Sequence, residues 1–357
     1  LLGRLGTGGA EPAGGNRPYK LRNGLRPEIL MRLLSVRMQN WKNFKELELS
    51  LQRRVFIAGP NASGKSNFLD IFRFLHDIAS VNGGFQEAVA KREGVSKIRC
   101  LAARRYSDIV IDVKLGNDPD NPEWKYSLAF SQDNNRRPIV KREYVLHCPS
   151  DQILLNRPDN FDENDPERQI QTHLEQVNTN KDFRQIADTF SSIRYLHIVP
   201  QLIRDPERYS GFSSDPFGSD FLEQIARTQQ KTRDARLRRI RQALTIAVPQ
   251  LKELVLERDH RGAPHLNGQY EHWRPNAGWQ SEAQFSDGTL RLLGWLWAVL
   301  DGSGPLLLEE PELSLHPAVI RHIPAMLWRI TRKSRRQVIL STHSVDLLGA
   351  KDIAPEE

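Results

Sequence analysis

The chain of 357 residues is poor in sulfur and has no long apolar run. It contains 2 cysteines and 3 methionines, and Cys100 and Cys148 do not form the C-x-x-C spacing of zinc or redox motifs. Scarce cysteine argues against a disulfide scaffold and fits a reducing compartment, so we expect a cytoplasmic protein. Its apolar runs are far shorter than the roughly 20 residues of a membrane-spanning helix. We therefore expect no membrane partner.

Internal repeats and sustained heptads are also missing, which argues against long coiled-coil arms. A composition of 39% hydrophobic and 27% charged residues is typical of a globular chain with one large domain or two lobes. The formal net charge of +7 permits contact with a polyanion such as DNA but is weak evidence for it. Residues 1–30 are rich in glycine and proline and lack apolar periodicity. We expect them to be a disordered extension outside the folded unit.

Alternating apolar residues predict strands, and apolar residues at helical spacing predict helices. Strands are expected at 34–38, 47–51, 55–59, 251–257, 305–308 and 337–341, with an antiparallel meander over 108–146. The 55–59 strand, VFIAG, reads as buried on both faces. Helices are expected directly after residue 67, over 221–247, from 289 and over about 317–330. Short helices and loops are expected over 150–190.

A glycine-rich loop, GPNASGKSN, follows the strand at 55–59 and precedes a helical pattern. Strand, loop and helix together are the context that a phosphate-binding loop requires. Gly59 and Gly64 let the backbone N–H groups surround phosphates at a helix N-terminus. Lys65 can reach the β and γ phosphates, and the Ser66 hydroxyl can ligate Mg²⁺. The predicted nucleotide-binding residues are Gly59, Pro60, Asn61, Ala62, Ser63, Gly64, Lys65, Ser66 and Asn67.

Two carboxylates follow three leucines in PLLLEEPELSLHP, at residues 305–317. A buried strand that ends in two acids needs a cationic partner, because unpaired buried carboxylates are costly. Glu309 is placed to hold Mg²⁺, directly or through water, and Glu310 to orient or deprotonate an attacking water. A solvated acidic turn would leave the preceding leucines unexplained.

Two further stretches gain meaning from their position in the chain. In FSDGTLRLL, Ser286 taken alone is an ordinary helix N-cap. Because it lies some twenty residues before the acidic strand, Ser286 with Gly288 could bind a γ-phosphate presented by another subunit. In VILSTHS, His343 ends a second buried strand. A lone histidine is more often structural, but this one is a candidate contact to the γ-phosphate or the water.

In this order the four elements resemble the Walker A loop, ABC signature, Walker B strand and switch histidine of the SMC/RecF/ABC-type ATPases. RMQNWKNFKELELSL and NASGKSNFLD are similar to the opening strands and loop of that superfamily. FSDGT departs from the LSGGQ of transporters, and Glu309 stands where aspartate is commoner. The resemblance covers about residues 31–350 and is strongest to compact stand-alone predicted AAA-family ATPases of RecF-like and OLD-like type.

The resemblance implies an α/β P-loop NTPase of ABC/SMC-head type, with a mixed central sheet, helices and an antiparallel β-subdomain. It implies an ATP-binding head over 31–350, a partly helical lobe inserted at about 150–280, and a tail at 351–357 that stops before the final strands of the family. ATP and Mg²⁺ are the implied cofactors. ATP lies between two heads in this superfamily, so Ser286 and Gly288 would act in trans in a homodimer. Lys65, Glu310 and His343 would be catalytic in cis. No Q-loop glutamine is assigned.

The leading hypothesis is an ATPase that dimerises on ATP and couples hydrolysis to DNA repair or to nucleic-acid-directed defence. A basic stretch at 227–241 is a candidate contact to a phosphate backbone, although a solvated helix face is the plainer interpretation. Its arginines include Arg233, Arg236, Arg238, Arg239 and Arg241. The acids of DNFDENDPE, at 159–167, are interpreted as a solvated loop and not as a nuclease site.

Two alternatives stay open. The first is a nucleotide switch with little turnover that supports a partner nuclease or toxin, and the presence of Glu310 favours hydrolysis over it. The second is the nucleotide-binding subunit of a membrane transporter. The missing LSGGQ wording and the long insert between Asn67 and Ser286 count against that alternative.

Overall fold

A computed structural model describes residues 31–103, 108–204, 215–274, 277–334, 336–350 and 353. The predicted extension at 1–30 lies outside the described residues, as does the tail at 351–357 apart from Ile353. The division of the chain into a head and an inserted lobe stays a prediction.

The first part of the chain forms a six-stranded antiparallel sheet in the order β2-β1-β4-β5-β6-β7. Its strands are β1 Arg32–Trp41, β2 Phe44–Ser50, β4 Ile109–Gly116, β5 Trp124–Gln132, β6 Pro138–His147 and β7 Gln152–Arg157. The alternation that predicted the first two strands and the 108–146 meander is confirmed. β7 was not predicted, because its residues lie in a polar stretch without clear period-two alternation.

The second sheet is parallel and has the order β3-β13-β12-β8. Its strands are β3 Arg54–Ala58, β8 Arg194–Leu196, β12 Leu306–Glu309 and β13 Val338–Thr342. The apolar residues of β12 and all of β13 are buried. The expectation that VFIAG is buried on both faces is wrong, because β3 is an edge strand and its residues are half-buried or exposed.

A third, three-stranded antiparallel sheet has the order β11-β10-β9. Its strands are β9 Leu251–Arg258, β10 Pro264–Tyr270 and β11 Trp279–Ser281. β9 was predicted, whereas β10 and β11 were not. β10 carries a glycine, and β11 is three residues long, so neither gives a clear alternation signal.

The helices surround the parallel sheet and the antiparallel strands. They are α1 Lys65–Ala79, α2 Phe85–Ala90, α3 Val95–Ile98, α4 Asn160–Asn164, α5 Arg184–Ser191, α6 Pro200–Arg204, α7 Phe221–Arg227, α8 Gln230–Leu244, α9 Asp287–Leu300, α10 Pro317–Ile320, α11 Ile323–Ser334 and α12 Val345–Leu348. The predicted helix over 221–247 is thus two helices, as is the one over 317–330. Among the described helices, none has the length and apolarity to cross a bilayer.

Two apolar cores lie on opposite faces of the parallel sheet. Leu307 and Ile339 belong to the core shared with α1 and the six-stranded sheet. Leu306 and Leu308 belong to the core shared with α8, α9 and α11. Successive residues of a strand point to opposite faces, so the short apolar runs are buried on both sides. The predicted α/β class with an antiparallel subdomain is confirmed.

Of the acids at 159–167, Glu163, Asp165 and Glu167 are exposed, as the sequence interpretation expected, but the segment is partly helical and Asp162 departs from that interpretation. Asp159 caps α4 and forms a capping box with Asp162. Asp162 is fully buried and paired with Arg157, at 2.7 Å. The sequence gives no sign of this pairing, because Arg157 precedes the acids in what reads as a polar loop.

Candidate functional site

The glycine-rich stretch at 59–67 leads directly into α1. The helix begins at Lys65, so the last three residues of the stretch are helical. Its N-cap residue Gly64 has φ 103°, no capping side chain bonds there, and the first turn of the helix carries no acid. The first N–H groups of a helix have no partner within the helix, and the helix dipole adds positive potential at that end. This uncapped N-terminus is a fitting receptor for an anion such as phosphate.

The turn between β1 and β2 fixes the loop from one side. Asn43 donates to the carbonyl of Ser63, at 3.3 Å, and accepts from the side chain of Asn67, at 2.8 Å. The indole of Trp41 donates to the carbonyl of Asn67, at 2.8 Å. A Cβ at Gly64 would run into the Asn43 side chain. Glycine at this position is therefore required by both its positive φ and the close approach of Asn43.

The Lys65 side chain folds back over the loop. Its ammonium donates to the carbonyls of Gly59, at 2.9 Å, and Pro60, at 3.0 Å. The residue is 8% exposed. The charge is thereby held against the backbone that is predicted to surround the phosphates.

Glu309 is the last residue of β12. In the parallel sheet β12 lies next to β13, and β13 in turn pairs with β3. The Ser66 hydroxyl and the Tyr195 hydroxyl both donate to its carboxylate. Burial, followed by the Glu309 carboxylate, raises the pKa of Tyr195, so its hydroxyl stays protonated as a donor. Tyr195 was not predicted as a site residue. Its signal in the sequence is weak, since it is one aromatic residue in the three-residue strand RYL.

The two predicted magnesium ligands therefore lie together. Among the described residues, no group of three or more His, Cys, Asp or Glu could hold a metal. Mg²⁺ commonly takes one or two protein oxygens and completes its shell with substrate phosphates and water. A serine hydroxyl and one carboxylate beside a phosphate-binding helix end fit that ion.

Glu310 follows directly and its backbone is left-handed, with φ 43°. The N–H of Glu310 donates to the carbonyl of Ser341, at 3.0 Å, which ties this turn to β13. Its carboxylate lies 3.2 Å from Nδ1 of His343, and the two side chains are 23% and 40% exposed. A non-glycine residue in this region of φ is strained, and such strain is concentrated at functional sites. The structure thus brings Glu310 and His343 together in an accessible position.

Glu312 holds the backbone of His343 in place through hydrogen bonds, and it was not predicted as a site residue. It is 3% exposed and accepts from the Thr342 hydroxyl and from the His343 N–H. These bonds fix the end of β13 against the loop after β12. The third acid of EEPE was visible in the sequence, but nothing there distinguished it from a solvated residue.

The predicted signature residues lie elsewhere. Ser286 caps α9 and its hydroxyl accepts from the Thr289 N–H, at 3.2 Å. Among the described residues, the hydrogen bonds of the Ser286 side chain involve Thr289 alone. Asp287 pairs with Arg204, at 2.6 Å, and accepts from Gln201, at 3.2 Å. The side chain of Asp287 thus ties the N-terminus of α9 to α6. It forms no hydrogen bond with Ser66, Glu309 or Glu310 among the described residues of the same chain.

Gly288 lies against the loop that follows the acidic strand. A Cβ there would be 2.9 Å from Leu315 and 3.0 Å from the carbonyl of Ser314. Only glycine fits without a shift of that backbone. The start of α9 is consequently packed onto the same loop that carries Glu310 and Glu312.

The basic stretch at 227–241 is divided between the core and solvent. Arg236 pairs with Asp301, at 2.8 Å, and lies over the ring of Trp297. Arg239 donates to the carbonyl of Ile330, at 3.1 Å, and Arg238 is exposed. At least two of the five predicted arginines therefore hold α8 onto the protein, which neither a phosphate-backbone contact nor a solvated helix face had predicted.

The fold and the site together are those of a P-loop NTPase. An uncapped helix end follows β3, and a Ser–Glu pair lies at the carboxyl end of β12. These two strands flank β13 in the parallel sheet. The chain belongs to the family described as "AAA domain, putative AbiEii toxin, Type IV TA system", whose model matches residues 54–349. This family is one of nucleotide-binding ATPases. No curated protein gives a significant match.

Solved SMC head domains have a similar fold. The Smc head bound to the C-winged helix domain of ScpA is 11% identical, with a TM-score of 0.52, and covers 89% of this chain and 92% of its own. The SMC head domain from Thermotoga maritima is 14% identical, with a TM-score of 0.46 and coverages of 90% and 93%. The head with an extended coiled coil bound to the C-terminal domain of ScpA, from Pyrococcus furiosus, is 11% identical, with a TM-score of 0.48 and coverages of 90% and 92%. At such identities the first of these supports the fold alone.

Proposed function

We propose that this protein binds ATP with Mg²⁺ and hydrolyses it. The observation that carries the proposal is the convergence at the carboxyl ends of β3, β12 and β13. There a phosphate-binding helix end, the Ser66–Glu309 pair and the Glu310–His343 pair lie on neighbouring elements. Ligands of α/β sheets bind at this end of the strands.

The loop residues 59–67 hold the phosphates through backbone N–H groups, and Lys65 exchanges its two carbonyl partners for phosphate oxygens. Ser66 and Glu309 hold Mg²⁺, which supplies positive charge that offsets the charge of the transferring phosphate. The Tyr195 hydroxyl orients the Glu309 carboxylate. Such outer hydrogen bonds keep a metal ligand in one geometry.

Glu310 serves as the general base or orienting group for the attacking water. Its N–H is bonded to Ser341, which fixes the backbone of this turn, and its side chain is 23% exposed. His343 lies within hydrogen-bond distance and keeps the carboxylate in place or contacts the γ-phosphate. Removing a general base commonly lowers turnover by roughly two to four orders of magnitude.

Ser286 and Gly288 act on ATP held by a second copy of the chain. In support, the Ser286 hydroxyl is exposed at the N-terminus of the 14-residue helix α9, and its hydrogen bonds are local. A helix N-terminus of this length is a suitable partner for a γ-phosphate. The proposal is therefore a homodimer that closes on ATP.

Hydrolysis in this proposal is coupled to DNA repair or to nucleic-acid-directed defence. The net charge of +7 and the exposed Arg238 are compatible with a phosphate backbone as partner. The proposal includes a cytoplasmic location, which the two free cysteines, Cys100 and Cys148, support because free thiols fit a reducing compartment.

A second candidate is suggested by the family description, which names a putative toxin of a type IV toxin–antitoxin system. In that case the ATP site would switch or power an effector activity, in this chain or in a partner. The distinguishing result is growth arrest on expression that depends on Lys65, in the absence of any response of the ATPase to DNA.

The primary test is ATP hydrolysis by the purified chain. We expect Lys65→Ala to lose nucleotide binding and turnover, and Glu310→Gln to bind ATP but lower turnover by at least about 100-fold. Lys45→Ala and Glu48→Gln, at exposed positions on β2, are the matched controls. Parent-like hydrolysis by Glu310→Gln would remove Glu310 as the base.

Dimerisation is tested on the same variants by light scattering coupled to size-exclusion chromatography. We expect Glu310→Gln to become dimeric with ATP and to stay monomeric with ADP. Adding Ser286→Arg to Glu310→Gln should abolish the dimer while ATP binding persists. A dimer that forms equally in the double variant contradicts the role of Ser286.

Coupling to nucleic acid is tested by measuring ATPase rates with duplex DNA, with single-stranded DNA and without DNA, at two salt concentrations. We expect stimulation that weakens as salt rises, because phosphate contacts release counterions. Absence of both stimulation and salt-sensitive binding rules out the nucleic-acid part of the proposal and leaves the ATPase intact.

A further inference from the structure

A cavity of about 690 Å³ lies beside α1, away from the glycine-rich loop. One wall is the face of α1 that carries Arg73, another is the segment 91–97, and a third is β8 with Tyr195. As lined by the described residues, it contains no member of 59–67. Its volume is typical of small-molecule sites.

The lining is strongly basic. It contains six cationic side chains against three acidic ones. The cations are Lys42, Arg73, Lys91, Arg92, Lys97 and Arg194. A concave surface with an excess of one charge concentrates counter-ions, so this cavity favours anions.

The acids on the α1 wall are already saturated. Asp70 accepts ion pairs from Arg92, at 2.8 Å, and from Lys42, at 2.6 Å. Asp77 is paired with Arg92, at 2.9 Å, and with Lys91, at 3.1 Å. These carboxylates can neutralise no further cation. Arg194 is paired with Asp301, which does not line the cavity, at 2.9 Å. The positive charge of Arg73 and Lys97 is therefore left for a ligand.

Two cations carry that surplus. Arg73 is 4.0 Å from Asp70, and its guanidinium lies 4.1 Å from the centre of the Tyr195 ring. Lys97 is exposed and forms no ion pair within 4 Å among the described residues. Glu93, the third acid of the lining, forms no ion pair within 4 Å among the described residues, and its one negative charge is smaller than the two positive charges of Arg73 and Lys97.

We propose that this cavity binds a small phosphate-bearing anion, held by Arg73 and Lys97. A guanidinium presents a planar fork of donors that matches two phosphate oxygens, and stacking on an aromatic ring holds that fork in one orientation. The cavity is a half-open concavity of mononucleotide size. A duplex would need an extended surface, on the order of 600 Å² or more for even one module.

The position of the cavity links it to the candidate ATP site. Arg73 lies on the face of the Tyr195 ring, and the hydroxyl of that ring donates to Glu309. An anion that fixes Arg73 also fixes the ring and its bond to the proposed metal ligand. This consequence for turnover rests on the proposed function, whereas binding of the anion does not.

Isothermal titration of pyrophosphate, in buffer without divalent metal, tests the binding. It is performed on the wild-type chain saturated with ADP and on the Lys65→Ala chain. We expect one saturable site in both. Arg73→Gln and Lys97→Gln should each weaken it by about tenfold or more, the usual effect of losing a charge-assisted hydrogen bond. Because Lys97 is exposed, its variant tests the site without a folding defect.

Arg142→Gln is the matched control, since Arg142 lies over the ring of Tyr144, at 5.3 Å, outside the cavity. It should bind pyrophosphate like the parent. No binding to either chain, or equal binding by Arg73→Gln and Lys97→Gln, overturns the proposal. Binding that is lost in Lys65→Ala and displaced by ADP also overturns it, because the anion then occupies the nucleotide loop.

The source of the phosphate is distinguished with adenosine monophosphate and a short 5′-phosphorylated oligonucleotide. Tight binding of the monophosphate supports a small ligand. Binding of the oligonucleotide alone, unaffected by removal of its 5′-phosphate, overturns that assignment. If pyrophosphate binds in an Arg73-dependent manner but the chain hydrolyses no ATP, the proposed function fails and the anion site stands.

Discussion

Two sets of carboxylates in this protein look alike in sequence and differ in what surrounds them. Glu309 and Glu310 end a parallel strand and are half-buried. Glu143 and Asp162, near the outer edge of the antiparallel sheet, are 0% exposed, and both are paired with Arg157. The first set has few partners and faces the loop at α1. The second set is enclosed.

The enclosed set has its hydrogen bonds nearly completed. Glu143 accepts from the Tyr126 hydroxyl, the His173 N–H and the Leu174 N–H, at 2.7–3.2 Å, besides Arg157. Burial by itself would raise the pKa of Asp162, but Arg157 overrides it and lowers the pKa to about 2. A network whose partners are complete fixes a structure, whereas acids left with spare acceptor capacity at a sheet end can take up a ligand.

The largest loss of stability should come from removing Arg157, the cation of the enclosed set. Arg157→Met leaves the buried Glu143 without its cation and leaves the buried Asp162 with Arg168 alone, at 3.5 Å. Breaking a buried ion pair in this way destabilises a protein by about 3–5 kcal/mol. Urea unfolding measures the loss. The control is Arg137→Met, whose ion pairs with Asp133 and Glu167 are exposed and should contribute little to stability. Equal losses in the two variants would contradict the distinction between a structural and a functional set.

Glu310→Gly should produce the opposite pattern. Glycine relieves the left-handed backbone at φ 43°, so we expect stability to rise by about 1 kcal/mol while hydrolysis falls by at least about 100-fold. Arg136→Gly, at φ 63° in the turn between β5 and β6, is the control. It should gain similar stability with unchanged hydrolysis. A less stable Glu310→Gly would mean that its carboxylate stabilises the fold.

Tyr195→Phe removes one hydroxyl from Glu309 and leaves the ring under Arg73. Outer hydrogen bonds to a metal ligand commonly affect metal affinity by about tenfold or more. We therefore expect the Mg²⁺ concentration for half-maximal ATPase to rise about tenfold, with little change in stability. Tyr144→Phe controls for loss of a tyrosine hydroxyl elsewhere. An unchanged Mg²⁺ requirement would mean that Tyr195 only packs.

The sequence predicts the parts of this molecule that repeat a local pattern. Alternation located β1, β2 and the meander, and spacing located the glycine-rich loop with α1. Apolar runs ending in acids or in histidine identified Glu309, Glu310 and His343 as neighbours, because parallel strands bring their carboxyl ends together.

The remaining parts depend on contacts between distant segments. Tyr195 meets Glu309 across 114 positions, and Arg157 is buried by residues up to 14 positions away on another strand. Neither partner carries a local signal, since a short strand and a polar stretch fit several structures. The same holds for β3, whose apolar residues suggested full burial although the strand lies at the edge of its sheet.

The smallest predicted effect is the pH dependence of stability that comes from Glu175 and His173, two residues next to the enclosed set. Burial raises the pKa of Glu175 to about 7, and burial followed by Arg157 lowers the pKa of His173 to about 4. The Glu175 contribution to stability is fully present below its unfolded pKa of about 4.3 and is lost as pH rises through 7. The His173 contribution is present above its unfolded pKa of about 6.5 and is lost as pH falls through 4.

Between about pH 4.5 and 6.5 the Glu175 contribution to the unfolding free energy falls as pH rises, whereas the His173 contribution grows. The unfolding free energy of the native chain should therefore change little over this interval. Glu175→Gln removes one slope, and its unfolding free energy should rise with pH by about 1 kcal/mol over this interval, because both groups are partly solvated. Urea unfolding across the interval measures it, with Glu163→Gln in α4 as an exposed control. Profiles of Glu175→Gln and the parent that run parallel would mean that Glu175 is ionised throughout. Its burial would then be balanced by the N–H groups of Phe85 and Thr172, and the enclosed set would extend one residue further than Glu143 and Asp162.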